Sequence, residues 1–287
     1  MKSSRNVLIV TQTPVGSCEP PAAWIGGKRR LAQRICSALA VTPHAAYCEP
    51  FIGMGGVFLR RRVRPSVEVM NDINGDVVTL FRVLQRFPDA LIRECRWRPA
   101  IRSEFDRLQE VRDGDLLDIE RAARFLYLQT LAFGGKATGQ SFGVDPSKPH
   151  NFDVRRLEGR IRRLHDRLAG VVIENLDWLA FITRYDRPET LFYLDPPYWG
   201  SEGDYGAGVF IQGDFQRMAD KLRSAEGKFL LSINDRPEIR EIFSWADIEA
   251  VQTSYSVGGG DTAAPAAELL IGRGVELAPA AAQARLL

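Results

Sequence analysis

The chain is poor in the residues that bind metals and form disulfides, with three histidines and four cysteines among 287 residues. Its cysteines show no C-x-x-C spacing and have no histidine cluster beside them, which argues against structural zinc and against a disulfide scaffold. They are typical of reduced thiols inside a cell, and no metal is expected. The cysteines are Cys18, Cys36, Cys48 and Cys95.

Long apolar runs are also missing. The four-residue run Val7 to Val10 is too short for the core of a signal peptide, and no stretch approaches the length that spans a bilayer. The sequence therefore predicts a cytoplasmic protein without a membrane partner. A composition that is 45% hydrophobic and 26% charged is ordinary for a globular protein, and 287 residues suffice for one large domain with an insertion.

Charge is distributed unevenly behind a net charge of +2. Residues 1–81 hold 10 Lys and Arg against 5 Asp and Glu, residues 82–167 hold 18 against 13, and residues 168–287 hold 10 against 18. A basic front joined to an acidic rear favours one surface that meets phosphate groups, as in a nucleic-acid-binding protein. The alternative is an Arg-rich surface that is merely solvated.

Short apolar runs alternate with helical patterns along most of the chain. This alternation predicts an α/β fold with a doubly wound sheet, whose ligands bind at the carboxyl ends of the strands. The last two strands have no helix between them, so we expect an antiparallel hairpin at the sheet edge. The predicted strands are 45–48, 67–71, 171–174, 191–194, 229–233, 248–255 and 268–271.

A glycine-containing loop, Glu49 to Gly56, follows the first of these strands, and we expect a helix to begin at Val57. Asp72 ends the next strand, nineteen residues after Gly53. Glycines permit a ligand to approach the backbone closely, and an acid at this distance accepts hydrogen bonds from ribose hydroxyls. The pattern indicates a nucleotide site; a tight turn with a helix-capping aspartate is the alternative.

The tetrapeptide Asp195-Pro196-Pro197-Tyr198 follows the apolar run Leu191 to Leu194. An amino group on a nucleobase needs hydrogen-bond acceptors, and the Asp195 carboxylate and the Pro196 carbonyl can supply two. Proline fixes its own φ and biases the preceding residue towards extended backbone, so covalent geometry aims both acceptors. Tyr198 can stack on the base. The alternative is an ordinary proline turn at the end of a strand.

Residues 82–167 break the alternation of strand and helix. They contain Arg-rich helical patterns at 102–112 and 120–131, followed by a glycine-rich stretch from Phe133 to Gly143. Such a stretch suits a hairpin that enters a DNA groove, with Lys136 at a phosphate or a base edge. A surface hairpin on a helical lid is the alternative.

Four blocks of sequence together resemble the Dam-type N6-adenine DNA methyltransferases (D12 class, alpha group). The blocks appear in the family's order: Trp24 to Lys28, Glu49 to Phe58, Asn71 to Asn74, and Asp195 to Tyr198. The resemblance implies a Rossmann-like sheet that uses S-adenosylmethionine, with an inserted, mainly helical DNA-recognition domain. It assigns residues 1–81 and 168–287 to the catalytic domain and 82–167 to target recognition, with double-stranded DNA as the partner. The oligomeric state stays open, and a monomer is compatible with the pattern.

The resemblance also implies a role for single residues. Trp24 and Lys28 would contact S-adenosylmethionine, Phe51, Gly53 and Gly55 would line its methionine part, Asp72 would take the ribose and Asp177 the cofactor's adenine. The catalytic residues would be Asp195, Pro196, Pro197 and Tyr198, with Asp195 also beside the cofactor, and the DNA contacts would be Phe133 and Lys136. A helix-packing tryptophan, a capping Asp72 and a helix N-cap at Asp177 are the alternatives.

One departure from the family concerns target choice. GATC-specific members carry an aromatic-Asn-Gly run with an arginine shortly after it, whereas this chain has Phe133-Gly134-Gly135-Lys136 and no arginine until Arg155. A bidentate contact to guanine from this hairpin is therefore not expected, nor is a GATC target. Three other functions stay open: an N4-cytosine DNA methyltransferase, a catalytically inactive DNA-binding module of the same fold, and a methyltransferase acting on glutamine amides in proteins.

Overall fold

The computed structural model describes residues 12–28, 30–136, 139–143, 152–206, 208–255 and 264–277. Its central feature is a seven-stranded sheet with the order β5-β4-β2-β6-β7-β9-β8, beside a two-stranded pair of β1 and β3. The strands are β1 Thr13–Pro14, β2 Ala46–Glu49, β3 Val63–Arg64, β4 Val67–Asn71, β5 Val172–Glu174, β6 Thr190–Leu194, β7 Lys228–Asn234, β8 Asp247–Tyr255 and β9 Ala264–Arg273.

The strands from β5 to β7 in this order are parallel, and β9 runs antiparallel between β7 and β8. The predicted α/β fold and the antiparallel pair at the sheet edge are both confirmed. Strand order reverses between β2 and β6, which are neighbours although β4 follows β2 in the chain. The crevice at such a reversal is where open α/β sheets bind ligands. The residues joining β8 and β9 include Gly258, Gly259 and Gly260, which lie outside the described residues.

Helices cover both faces of the sheet. Helix α2 begins after Asn74, whose side chain accepts hydrogen bonds from the backbone N–H groups of Asp76 and Val77, an N-cap that satisfies otherwise unpaired donors. The helices are α1 Ala32–Val41, α2 Gly75–Arg86, α3 Pro88–Arg96, α4 Arg102–Glu110, α5 Asp118–Leu131, α6 Val154–Arg167, α7 Trp178–Tyr185, α8 Gln212–Ser224 and α9 Pro237–Ile242. None of these helices, within the described ranges, has the length and apolar character that crossing a membrane requires.

The prediction that a helix begins at Val57 is wrong. The glycine loop leads into a single 3-10 turn, Phe58–Arg60, and then into β3. Arg61 is already extended, with φ −62° and ψ 140°. The β-branched Val63 and the proline at position 65 favour extended backbone at this point, and they end the turn before a helix can propagate.

Two apolar clusters form the core, one on each face of the sheet. Along β6, Leu191 and Tyr193 belong to the first cluster, whereas Phe192 and Leu194 belong to the second, as expected for a strand buried on both faces. Helices α3 to α6, which occupy the chain between β4 and β5 after α2, contribute to the first cluster. The expected domain boundary at residue 82 falls inside α2.

Candidate active site

A cavity of about 450 Å³ opens at the carboxyl ends of β2, β4, β5 and β6. It brings together most of the site residues that the sequence predicts. Those that line it are Trp24, Lys28, Phe51, Gly53, Asp72, Asp177, Asp195 and Pro197. Gly55, Pro196, Tyr198, Phe133 and Lys136 are not part of the lining.

Lys28 forms an ion pair with Asp195, with 2.6 Å between its Nζ and Oδ1 of the carboxylate. The same Nζ donates to the hydroxyl of Tyr198 at 2.9 Å and to the carbonyl of Gly26 at 3.1 Å, and Lys28 is only 4% exposed. Desolvation raises the pKa of Asp195 above its ordinary value, and the ion pair with Lys28 opposes that rise. The lysine that the resemblance assigns to the cofactor therefore contacts the acid and the ring of the tetrapeptide.

Strand β7 supports the tetrapeptide from the other side. The Ser232 hydroxyl donates to Oδ1 of Asp195 at 3.3 Å and lies 2.8 Å from the Tyr193 hydroxyl. Since Ser232 has one hydrogen to donate, Tyr193 is the donor in that second bond. Asn234 accepts from the N–H of Trp199 and donates to its carbonyl, each at 3.0 Å, and so holds the loop after the tetrapeptide. Sequence reasoning predicted the strand but missed Ser232 and Asn234; their polar side chains near its carboxyl end were the available signal.

The glycine loop packs directly beneath the Trp24 side chain. A Cβ added at Gly53, whose φ is +47°, would meet Nε1 of Trp24 at 2.7 Å, so only glycine fits there without movement. Asp72 fastens this loop to the end of β4, because its carboxylate accepts from the N–H of Gly53 at 2.8 Å and from the N–H of Asn74 at 2.9 Å. Burial raises the pKa of Asp72 to about 6. Gly55 faces the side chain of Leu59, which a Cβ would meet at 2.9 Å.

The far end of the cavity is aromatic. The rings of Phe51 and Phe210 lie edge to face with centroids 6.0 Å apart, and the Trp178 ring lies 6.4 Å from Phe210. Asp177 caps α7 here by accepting from the N–H of Leu179 at 2.9 Å, and it also lines the cavity. The hydrogen bonds of Asp177 are thus those of a helix N-cap. The aromatic rings at this end of the cavity suit a planar ligand.

The cavity lining also contains polar residues that sequence reasoning did not assign to the site, among them Glu49, Thr130 and Arg160. Glu49 is 2% exposed and accepts a 2.5 Å hydrogen bond from the Tyr47 hydroxyl. Burial raises the pKa of Glu49 to about 8. The Thr130 hydroxyl has no hydrogen-bond partner among the described residues. Glu49 begins the glycine block, whereas Thr130 and Arg160 carried no sequence signal.

The stretch from Leu131 to Gly143 forms a hairpin in its described part, residues 131–136 and 139–143. The N–H of Phe133 donates to the carbonyl of Ser141 at 2.9 Å, and the N–H of Gly143 donates to the carbonyl of Leu131 at 2.8 Å. Phe133 is 49% exposed, and Lys136 is exposed as well. Neither residue lines the cavity.

Across the described ranges, no group of three or more His, Cys, Asp or Glu side chains is arranged to hold a metal ion.

Residues 24–257 match the family model of the D12 class N6 adenine-specific DNA methyltransferases. The chain belongs to this family. It is 26% identical over 268 residues to the DNA adenine methylase of Haemophilus influenzae, an alignment that covers 83% of this chain and 87% of that protein. It is 31% identical over 259 residues to the type II methyltransferase M1.LlaDCHI of Lactococcus lactis subsp. cremoris, with 83% and 89% covered. The protein is therefore an enzyme, a DNA adenine-N6 methyltransferase, and the resemblance inferred from the four blocks is confirmed.

Proposed function

We propose that the cavity binds S-adenosylmethionine and that Asp195 presents a flipped-out adenine of double-stranded DNA to it. The observation that carries this proposal is the position of the Asp195 carboxylate, paired with Lys28 in the wall of a cavity beyond the ends of parallel strands. The cavity volume of about 450 Å³ is within the range of small-molecule sites. When bound, this cofactor supplies a methyl group that is already activated by a positively charged sulfur.

The residues present fit such a cofactor. Because Gly53 has no side chain and packs against Trp24, the wall of the cavity beside Trp24 consists of backbone, which suits the methionine part of the cofactor. The Asp72 carboxylate suits the ribose hydroxyls of the cofactor. Asp177 and the ring of Phe51 would take the adenine at the aromatic end. The proposal gives Lys28 a role at Asp195, and it assigns no contact to Gly55.

Asp195 would act by orienting the amino group. Lys28 and Ser232 both contact Oδ1, which leaves Oδ2 to accept one N–H of the adenine amino group while the Pro196 carbonyl accepts the other. The nitrogen lone pair would then face the donor. Good orientation of two reactants is worth up to about 7 to 11 kcal/mol, whereas one neutral hydrogen bond contributes about 1 kcal/mol. Positioning is therefore the main contribution of the tetrapeptide, and the negative charge of Asp195 offsets positive charge that develops on the nitrogen.

An adenine reaches this cavity only outside the DNA stack. Flipping costs a few kcal/mol, and stacking on Tyr198 would recover part of it. Lys28 lies 4.6 Å from the centre of the Tyr198 ring and donates to its hydroxyl, which fixes the ring plane beside Asp195. Pro197, which lines the cavity, would close the opposite side of the adenine site.

DNA would contact the insertion, residues 82–167, while residues 1–81 and 168–287 form the catalytic part. The exposed Phe133 and Lys136 of the hairpin suit a groove, and the start of α6 presents Arg155 and Arg156 with side chains 92% and 76% exposed. Such arginines meet phosphates and give salt-dependent binding. The sequence contains no arginine between Phe133 and Arg155, so we propose a target other than GATC.

Transfer of a labelled methyl group from S-adenosylmethionine to unmethylated DNA tests the proposal. Asp195→Ala is expected to abolish transfer and to leave cofactor affinity within an order of magnitude. Asp235→Ala is a matched control, because Asp235 follows β7 as Asp195 follows β6, but it pairs with Arg240 at 2.7 Å and does not line the cavity. Transfer that persists in Asp195→Ala would refute the assigned role. Mapping the modified bases by sequencing would identify the target.

A further inference from the structure

Gln129, near the end of α5, is fully buried and uses its whole amide group. Its Nε2 donates to the carbonyl of Ala23 at 2.8 Å and to the carbonyl of Gly135 at 2.9 Å. Its Oε1 accepts from Nε2 of Gln140 at 2.7 Å. A primary amide has two N–H hydrogens, and here each of them donates to a different segment of backbone. One segment lines the cavity and the other belongs to the hairpin.

The two segments also contact each other directly. The N–H of Ile25 donates to the same Gly135 carbonyl at 2.9 Å. A Cβ added at Gly135 would meet the backbone N of Trp24 at 3.0 Å and the carbonyl carbon of Ala23 at 3.1 Å. The hairpin backbone thus lies in van der Waals contact with the residues on either side of the Trp24 side chain, and that side chain covers Gly53.

We propose that Gln129 is a positioning residue that couples the hairpin to the cavity segment Ala23 to Ile25, so that DNA and cofactor bind with positive cooperativity. This inference rests on the function proposed above, in which the hairpin contacts DNA and the cavity that Trp24 lines binds the cofactor. If either segment moves relative to the other, a hydrogen bond to Gln129 breaks or the backbone at Gly135 is pressed against Ala23 and Trp24. DNA that holds the hairpin therefore restricts Trp24, and the cofactor then loses less conformational freedom on binding.

The test is a binding cycle with S-adenosylhomocysteine, which is unreactive, and a duplex containing the methylated site found by base mapping. The measured quantity is the ratio of the dissociation constants for S-adenosylhomocysteine without DNA and with saturating DNA, obtained by calorimetry. We expect a ratio of about five or more for the wild-type protein, at the lower end of typical coupling. Gln129→Met, which keeps the length of the side chain and removes its hydrogen bonds, is expected to bring the ratio close to one.

Gln85→Met is the matched control for a general loss of stability. Gln85 also donates from Nε2 to two backbone carbonyls, those of Leu168 and Val171, each at 2.8 Å, but it joins α2 to the turn before β5. This variant is expected to keep the wild-type ratio. A ratio that falls equally in the Gln85 and Gln129 variants would overturn the proposal, because it would indicate a merely structural effect.

Two adjacent glycines give a second pair of variants that leave Gln129 in place. Gly134 and Gly135 share a φ of +67°, so alanine meets the same unfavourable φ at both positions. A Cβ at Gly134 meets nothing within 4 Å, whereas one at Gly135 meets the segment beneath. Gly135→Ala is expected to lower the ratio towards one, and Gly134→Ala is expected to keep it. Equal ratios in these two variants would overturn the coupling.

The wild-type measurements separate failure of this inference from failure of the proposed function. A wild-type protein that binds no S-adenosylhomocysteine, or that binds no DNA, would overturn both. A wild-type protein that binds both ligands and methylates DNA with a ratio of one or below would overturn the coupling alone.

Discussion

Glu49 offers a direct test of the electrostatics of the cavity. Its carboxyl is buried beside the Tyr47 hydroxyl, and burial raises its pKa from an ordinary value of 4.5 to about 8. Between these two values the unfolded chain has lost the proton and the folded protein keeps it, so stability falls as the pH rises. Each pH unit in that window corresponds to about 1.36 kcal/mol, and the loss between pH 5 and pH 8.5 is about 4 kcal/mol.

Glu49→Gln removes this titration and keeps the size of the side chain. The free energy of unfolding is measured by urea denaturation at several pH values for both proteins. The value for Glu49→Gln minus the value for the wild-type protein is expected to rise by about 4 kcal/mol from pH 5 to pH 8.5. Glu241→Gln, which removes an exposed carboxyl in α9, is expected to follow the wild-type curve. Parallel curves for wild type and Glu49→Gln would refute the assignment of a neutral, buried carboxyl.

Three other outcomes follow from the site. Gly53→Ala forces a Cβ against Trp24 and should weaken S-adenosylmethionine binding at least tenfold, or about 1.4 kcal/mol, in calorimetry. Gly16→Ala is the control, because a Cβ there meets nothing within 4 Å, and it should keep the wild-type affinity. Equal affinities of the two variants would contradict the proposed packing of the cofactor against the glycine loop. Lys28→Met removes the charge that lowers the pKa of Asp195, so the acidic limb of the pH–rate profile should move to higher pH; an unmoved limb would contradict this pairing. DNA affinity should fall steeply with added KCl, and a flat response would exclude phosphate contacts.

The sequence predicted the sheet well because its strands are short apolar runs bounded by turn residues, a signal local to each strand. It failed at Val57, where apolar residues suggested a helix but the residues that follow them favour extended chain. In the described part of the chain, five helices lie between β4 and β5, where the Arg-rich patterns indicated only two of them clearly. Amphipathic patterns show that a helix forms, but they do not show that its apolar side joins a core already shared with the sheet.

The site was predicted as a set of residues and not as a set of contacts. Lys28 and Tyr198 are 170 positions apart, so no local pattern could place the lysine on the tetrapeptide. The same limit applies to Ser232, which reaches Asp195 only because β7 pairs with β6. The family resemblance identified Lys28 as a site residue and assigned it a contact with the cofactor. Its ion pair with Asp195 is a tertiary contact, which only the folded structure shows.

A chain of buried groups joins the end of α6 to the cavity wall. Arg167, at the end of α6, donates from two nitrogens to the Glu68 carboxylate, each at 2.8 Å, and Glu68 also accepts from Arg61 at 2.7 Å. The Arg61 guanidinium lies 3.5 Å from the centre of the Tyr47 ring, whose hydroxyl reaches Glu49 in the cavity. Breaking a buried ion pair by removing one partner costs about 3 to 5 kcal/mol. Arg167→Met is therefore expected to lower the free energy of unfolding by that amount in urea denaturation, and a loss below about 1 kcal/mol, the value of an exposed pair, would contradict this account. The last turn of α6 is therefore linked to the cavity wall, while the first turn of the same helix leaves the side chains of Arg155 and Arg156 exposed.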